Sequence, residues 1–365
     1  MEYQSIRRYK KQRKPGKLND MWMLLLIVIV LVIVGLFGMA LFKGGLFKDR
    51  PTTSDTEETS GEDSESETAV TTVEEETTAD EKIPPISFKN VTVSSDEVHR
   101  GLLVLIDADH PYVFPNDITF MDNTVSAGIE YDTLENKDKL IVSIYNTRKI
   151  YVDGYGVASA YVMLRLDVIE KVSEFLKAFS VKNNDNSALI TGGYRSYSSQ
   201  ADLAEKNEGA AKPGCSDFHT GTTFTVQKYA GGVQSDLLSA AHGGWLKSNM
   251  CNYGFIMRYP SYAQEKTGYN IPSQLRYVGN VSATFIMNSG ICLEEYLELL
   301  RTEFNTPDSP LLVSCNDGWD YVVYYTPVTE EGDVMLSVPS ELEYTISGDN
   351  IGGIIVTAKV RERKQ

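Results

Sequence analysis

A short stretch in the second half of the chain, "CSDFHTGTTFTV" (residues 215–226), carries side chains that could bind a metal ion. His219 offers an imidazole nitrogen and Asp217 a carboxylate, which are ligand types that zinc takes in hydrolytic enzymes. Zinc held by three protein ligands keeps a position for water and lowers the pKa of that water to about 7, so that a nearby carboxylate can take its proton. These residue types therefore raise metal-assisted hydrolysis as one hypothesis.

The stretch "TGGYRSYSSQ" (residues 191–200) lies shortly before the first one and contains Arg195. A guanidinium group forms bidentate pairs with carboxylates, so Arg195 is a candidate for binding the carboxylate of a peptide.

Five motifs follow one another along the chain: "TGGYRSYSSQ", "PGCSDFHTG", "WLKSNMCNYGFIMRYP", "IPSQLRYVG" and "GICLEEYL". In this order and spacing they resemble the D-alanyl-D-alanine carboxypeptidases of the VanY-like family, zinc peptidases that trim the stem peptides of bacterial peptidoglycan. The resemblance extends from Leu102 to Glu298. It implies an α+β fold of the zinc D-Ala-D-Ala carboxypeptidase-like (Hedgehog/DD-peptidase) type.

The family's metal site is built by the pattern SxHxxGxAxD and a later ExxH, whose two His and one Asp hold zinc and whose Glu is the general base. Ser216 and Gly221 match the first pattern in this sequence. The three ligand positions and the base position are occupied by other residues, in chain order Phe218, Thr225, Gln274 and, for the base, Ile271. A phenyl ring cannot coordinate zinc and an isoleucine cannot take a proton, so we predict no catalytic residue, no metal ligand and no cofactor at this site.

His219 and Asp217 are neighbours of the altered site and could replace the missing ligands. If the stretch is a strand, adjacent side chains point to opposite faces, and His219 then faces away from the side to which Phe218 points. A β-bulge could redirect it. One imidazole would still be a weak zinc site, because no carboxylate is left at the family's positions to offset the dication.

The resemblance also assigns residues that would hold a ligand. Arg195 occupies the position of the arginine that meets the substrate, and Ser216 that of a serine that holds the substrate's C-terminal end. Tyr194 and Gln200 belong to the same YRSxxxQ pattern, where we expect Gln200 to be mainly structural. The alternative is that Arg195 and Tyr194 only brace the fold.

The elements that must position these residues follow from hydrophobic patterns. "YVMLRLDVIEKVSEFLKAF" places Leu164, Val168, Val172, Leu176 and Phe179 at helical spacing, and "CLEEYLELLRTEF" is a second amphipathic helix. "GLLVLID" (residues 101–107) and "SALITGG" are predicted strands. "SSQADLAEKN" is a predicted helix that begins with a capping-box pattern at Ser199 and Asp202. The irregular alternation indicates an α+β domain.

Five segments are predicted, four from composition and sequence pattern and the carboxypeptidase-like domain from the resemblance. Residues 1–20 are basic, and residues 21–42 ("MWMLLLIVIVLVIVGLFGMALF") are long enough and apolar enough for one transmembrane helix. Residues 43–85 form an acidic Ser/Thr-rich disordered linker. Residues 86–304 form the carboxypeptidase-like domain, and residues 305–365 a small β-rich C-terminal domain. A cleavable signal peptide is the alternative to the membrane anchor, although its apolar region would be unusually long.

The N-terminal basic cluster predicts a cytoplasmic N-terminus and an extracytoplasmic C-terminal part in a bacterial cell membrane. The net charge of −16 argues against nucleic acid as a partner, because phosphate binding requires clustered Lys and Arg. The four cysteines, Cys215, Cys251, Cys292 and Cys315, allow two disulfides in three connectivities, or none.

Three functions remain open. The first is a pseudoenzyme that binds a peptidoglycan stem peptide or a cell-wall protein through the inherited cleft. The second is an active D-alanyl-D-alanine metallocarboxypeptidase with rearranged ligands. The third is a purely structural docking domain.

Overall fold

The computed structural model describes residues 83–121, 129–148, 150–329 and 332–363. The predicted basic segment, the predicted transmembrane helix and nearly all of the predicted linker lie outside these residues. Within the described part of the chain, no helix combines the length and the apolar character that crossing a bilayer requires.

The described residues form strands and helices in mixed order. The strands are β1 (Phe88–Ser94), β2 (Thr119–Met121), β3 (Leu140–Ser143), β4 (Gly156–Val157), β5 (Met163–Arg165), β6 (Ala188–Gly192), β7 (Thr223–Ala230), β8 (Val233–Ser235), β9 (Phe255–Tyr259), β10 (Ile271–Tyr277), β11 (Leu311–Ser314), β12 (Trp319–Pro327), β13 (Asp333–Pro339), β14 (Tyr344–Gly348) and β15 (Gly353–Glu362). The α-helices are α1 (Leu166–Asn183), α2 (Tyr197–Lys206), α3 (Gly243–Asn249), α4 (Gln264–Thr267), α5 (Asn280–Ser289) and α6 (Leu293–Glu303).

The central sheet has the strand order β4-β6-β7-β10-β9, with β8 paired to β7. Strands β6, β7, β10 and β9 pair antiparallel with one another in that order, whereas β4 pairs in parallel with β6. A three-stranded sheet, β2-β3-β5, lies outside this path. Helices set among mainly antiparallel strands agree with the predicted α+β class.

Helix α1 forms the largest part of the core beside the central sheet. Val168, Val172, Leu176 and Phe179 are buried as the helical spacing predicts. The helix begins two residues after Leu164, which lies in β5.

Helix α2 begins earlier than predicted and uses a different cap. Ser196 is the N-cap, and its hydroxyl accepts a hydrogen bond from the backbone N–H of Ser199. The predicted capping box at Ser199 and Asp202 is therefore wrong, because Ser199 already lies in the first turn.

The apolar run at residues 101–107 is buried but is not a strand, contrary to prediction. The carbonyl oxygens of Leu102 and Val104 accept hydrogen bonds from the side chain of Arg276 instead of from a neighbouring strand. A buried segment can thus satisfy its backbone without joining a sheet.

The C-terminal residues form the sheet β11-β12-β15-β14, which agrees with the β-rich character predicted for this segment, and part of the sheet packs against helix α6. Leu297 and Leu300 of α6 share one hydrophobic cluster with Val323 and Ile355 of this sheet. Strand β1, from the N-terminal side, pairs with β13. One hydrophobic cluster thus includes residues on both sides of position 304, and the domain boundary at residues 304 and 305 stays a prediction.

Candidate functional site

A cavity of about 340 Å³ opens where β7, β10 and the turn before β7 meet. Most of the residues singled out in the sequence line this cavity. They are Arg195, Gln200, Ser216, Asp217, Phe218, Thr225, Ile271 and Gln274. Tyr194 and His219 are not among its lining residues.

The three positions that the metal-site pattern marks lie close together. Gln274 on β10 is directly opposite Thr225 on β7, so their side chains share one face of the sheet. A Cβ atom built on Gly192 of β6 would lie 3.3 Å from the Thr225 hydroxyl oxygen and 3.9 Å from the ring of Phe218. Phe218, Thr225 and Gln274 thus converge on one region of the cavity.

Arg195 is held at the cavity by contacts on two sides. Its guanidinium stacks on the ring of Phe218, with 4.1 Å from Cζ to the ring centroid. Its Nη1 donates to Oε1 of Gln200 at 3.2 Å, and Nε2 of Gln200 donates to the carbonyl of Ala211 at 2.7 Å. Burial lowers the pKa of Arg195, yet an arginine remains charged at any physiological pH. No carboxylate of the described residues forms an ion pair with it.

Asp217 borders the cavity, but its carboxylate is fully buried in an ion-pair cluster. Its Oδ1 lies 2.8 Å from Nη1 of Arg276, and its Oδ2 lies 2.5 Å from Nε of Arg258. Arg258 also pairs with Glu294, at 2.8 and 3.1 Å. Burial alone would raise the pKa of Glu294, but Arg258 outweighs it and the pKa is lowered. Asp217 therefore fixes the turn that presents Ser216 and Phe218 to the cavity.

His219 is buried on the other side of that turn, with both ring nitrogens engaged. Its Nδ1 lies 2.7 Å from the carbonyl oxygen of Arg195, and its Nε2 accepts the backbone N–H of Gly214 at 3.1 Å. Because an amide can only donate, the proton sits on Nδ1 and the ring is neutral. Burial lowers the pKa of His219 in agreement with this. His219 does not line the cavity that Phe218 lines, but the strand on which the predicted direction depended is absent, since residues 217–220 form a 3-10 turn.

Comparisons with known proteins identify the family of this chain. The family model "VanY: D-alanyl-D-alanine carboxypeptidase" matches residues 162–280. The D-alanyl-D-alanine carboxypeptidase of Enterococcus faecium is 30% identical over 269 residues, which cover 73% of this chain and 78% of that protein. The chain belongs to the D-alanyl-D-alanine carboxypeptidase family.

Two further similarities concern a second relative and the fold. The putative carboxypeptidase YodJ of Bacillus subtilis is 27% identical over 203 residues, covering 51% of this chain and 74% of YodJ. The crystal structure of the vancomycin-resistance D,D-dipeptidase VanXYg has the same fold, with a TM-score of 0.59 and 22% identity. The match covers 75% of this chain and 99% of that one.

The residues at the family's metal position do not fit zinc. Phe218 has no lone pair to donate, and the Thr225 hydroxyl and the Gln274 amide are neutral oxygen and nitrogen groups, not the His and carboxylate ligands that zinc prefers. In the described part of the chain, no group of three or more His, Cys, Asp or Glu side chains is arranged to hold a metal ion. The four cysteines are free thiols.

Hydrogen-bonding groups nevertheless face the cavity without protein partners. Gln274 is 4% exposed and Ser216 is 5% exposed, and neither side chain forms a hydrogen bond to another described residue. The Thr225 hydroxyl likewise has no hydrogen-bond partner among the described residues. Ile271, at the position of the family's Glu, is 38% exposed and gives the cavity an apolar wall.

Tyr194 lies elsewhere. Its ring packs against Phe120 with 5.3 Å between centroids, and it lines a smaller neighbouring cavity together with His219. A ligand-binding role for Tyr194 therefore has no support from its position and stays a prediction.

Sequence reasoning missed the buried arginines. Arg258 stands inside the apolar run "FIMRY", and a charge in a buried strand requires a counter-charge. That run is the signal that could have indicated an ion-pair cluster. Arg276, which also pairs with Asp217, had no comparable signal.

Proposed function

We propose that the carboxypeptidase-like domain binds a peptide with a free C-terminal carboxylate, as a peptidoglycan stem peptide has, and does not hydrolyse it. The observation that carries this proposal is Arg195, a positioned cation that faces the cavity without an acidic partner. A carboxylate is the natural counter-ion for such a group, since it can accept two parallel hydrogen bonds from the guanidinium fork.

The charge of the site supports an anionic ligand. In the family pattern the zinc dication is accompanied by one ligand carboxylate and one catalytic carboxylate, whose charges sum to zero. Phe218, Thr225, Gln274 and Ile271 replace that set with neutral groups. Both sets are neutral in sum, so neither offsets the positive charge of Arg195.

Binding without hydrolysis is favoured over an active enzyme with rearranged ligands by the positions of His219 and Asp217. Zinc at His219 would have to displace the carbonyl of Arg195 or the amide of Gly214. Zinc at Asp217 would leave two buried arginines without their shared carboxylate, which costs several kcal/mol.

We expect Arg195→Ala to weaken binding of a stem peptide by at least about tenfold, because it removes a charged hydrogen bond worth roughly 1.5–3 kcal/mol. Arg195→Lys should retain part of the affinity, because it keeps the charge but loses the planar fork. Isothermal titration with a muropeptide measures both effects.

A matched control is Arg148→Ala. Arg148 also stacks on an aromatic ring, Tyr145, at 4.1 Å, but it does not line the cavity. It should leave the affinity unchanged. If the parent protein binds no muropeptide, or if Arg195→Ala binds as well as the parent, the proposal is wrong.

We also propose that residues 21–42 anchor the protein in a bacterial cell membrane, with the peptide-binding domain outside. The uncharged apolar length and the preceding basic cluster support this proposal. The full chain should sediment with membranes, whereas a chain lacking residues 1–42 should not. Protease added to cells whose wall has been removed but whose membrane is intact should digest an epitope at the C-terminus. Digestion only after lysis would contradict this orientation.

A further inference from the structure

Two polar side chains, Gln274 and Thr225, lie at the positions of the family's metal ligands, and the proposed function gives them no role. Gln274 is nine-tenths buried and its amide has no partner among the described residues. Its amide lines the open cavity, so a ligand that enters must supply a hydrogen-bond partner or leave the amide unsatisfied, which costs about 1–3 kcal/mol. Such a group is therefore expected to have a partner when the protein performs its function.

Thr225 lies directly across the strand pair from Gln274, so both side chains point to the same part of the cavity. A Cβ atom built on Gly192 would contact both the Thr225 hydroxyl and the ring of Phe218, so these two groups lie near each other. Arg195 stacks on the same ring. One cavity thus presents a cationic fork and, near it, an amide and a hydroxyl.

These two neutral groups fit a neutral acceptor better than an anion. The Gln274 amide has two N–H donors and the Thr225 hydroxyl one O–H donor. An anion buried beside them would lack a counter-charge, because Arg195 is the cation available in this cavity and the ligand carboxylate occupies it.

We propose that Gln274 and Thr225 form a subsite that donates hydrogen bonds to the carbonyl oxygen of the ligand's last peptide bond, while Arg195 holds its C-terminal carboxylate. This inference rests on the proposed function. It specifies the ligand as a peptide whose terminal amide bond is intact. No bond is made or broken, since Ile271 cannot accept a proton.

The experiment compares two ligands by isothermal titration against the full chain. One is acetyl-L-Lys-D-Ala-D-Ala, and the other has an (E)-alkene in place of the last amide. The alkene preserves the shape and the carboxylate but lacks both the carbonyl oxygen and the amide N–H, so the Gln274 variant below decides whether the carbonyl oxygen accounts for the difference. The parent protein should bind the alkene about tenfold more weakly, the loss expected for hydrogen bonds of this kind.

Gln274→Met removes the donors at similar volume. It should bind the peptide more weakly than the parent does and bring the ratio of the two affinities close to one. Thr225→Val should also weaken peptide binding and lower the ratio, but by less. Thr225→Ser keeps the hydroxyl and should bind both ligands as the parent does. Unchanged thermal unfolding midpoints of the variants show that folding is intact.

Gln227→Met is the matched control. Gln227 lies on the same strand, β7, and its Oε1 is also buried without a partner, but it does not line the cavity. This variant should keep the tenfold ratio.

Equal binding of both ligands by the parent protein, or an unchanged ratio in Gln274→Met, would overturn the carbonyl subsite while leaving carboxylate recognition intact. Failure of the parent to bind either ligand would overturn the proposed function together with the subsite.

Discussion

The triple variant F218H/T225D/Q274H should bind one zinc ion per chain with micromolar or tighter affinity, and the parent protein should not. Two imidazoles and one carboxylate at converging positions give zinc three protein ligands and one position for water. The three positions already lie close together. Thr225 and Gln274 are paired across β7 and β10, and Gly192 lies beside both Thr225 and Phe218. Micromolar binding corresponds to about −8 kcal/mol, which is weaker than the roughly 10–16 kcal/mol of structural zinc sites and therefore a modest requirement.

Metal content after dialysis, together with competition against a chromophoric chelator, measures this effect. The double variant T225D/Q274H is the control, since it adds the charge and one imidazole but leaves Phe218 in place. It should bind zinc at least about a hundredfold more weakly. A triple variant that unfolds at the parent's temperature and binds zinc no better than the double variant would show that the three positions do not meet closely enough.

The outcome of that test also bears on Arg195. F218H removes the phenyl ring on which the guanidinium stacks. A cation–π contact of this kind contributes about 0.5–2 kcal/mol. Peptide affinity and zinc affinity should therefore change in opposite directions in the triple variant, since the same residue cannot both ligate a metal and support the arginine.

The amphipathic helices were the most predictable part of the fold. Helices α1 and α6 each bury one stripe of residues at helical spacing, and a stripe of that length is visible in the sequence itself. The run at residues 101–107 was not predictable in the same way. An apolar run shows that a segment is buried, but its backbone partner here is the side chain of Arg276, more than one hundred residues away in sequence.

The sequence predicted which residues lie at the site but not the direction in which each side chain points. Motif spacing fixed which residues occupy the family's ligand positions, and the sheet register brings Thr225 and Gln274 together as that spacing requires. The direction of Asp217 could not be predicted, because nothing in the sequence shows that Arg258 and Arg276 meet it. Charged residues pair through tertiary contacts, which no local pattern records.

The second large effect expected is on stability: Asp217→Asn should lower the free energy of unfolding by about 3–5 kcal/mol. The substitution leaves Arg276 with the carbonyls of Leu102 and Val104 but no counter-charge in a fully buried position. Arg258 retains Glu294. For a domain of this size the unfolding midpoint should fall by roughly 10 °C, which differential scanning calorimetry measures.

Glu298→Gln provides the comparison at an exposed pair. Glu298 lies 3.3 Å from Arg301 on the surface of α6, where an ion pair contributes less than about 1 kcal/mol. Its midpoint should stay close to that of the parent. A similar small change in Asp217→Asn would mean that the buried cluster does not stabilise the fold.

The double variant D217N/R276M separates the ion pair from other effects of the substitution. Removing both charges avoids an uncompensated buried arginine, so the double variant should be less destabilised than the sum of its single variants, by at least about 1 kcal/mol. Asp217 also fixes the turn that carries Ser216 and Phe218. Both D217N and D217N/R276M should therefore bind peptide more weakly than the parent, even under conditions where they are fully folded. Normal peptide affinity in a folded D217N protein would show that the cluster stabilises the domain without positioning the cleft.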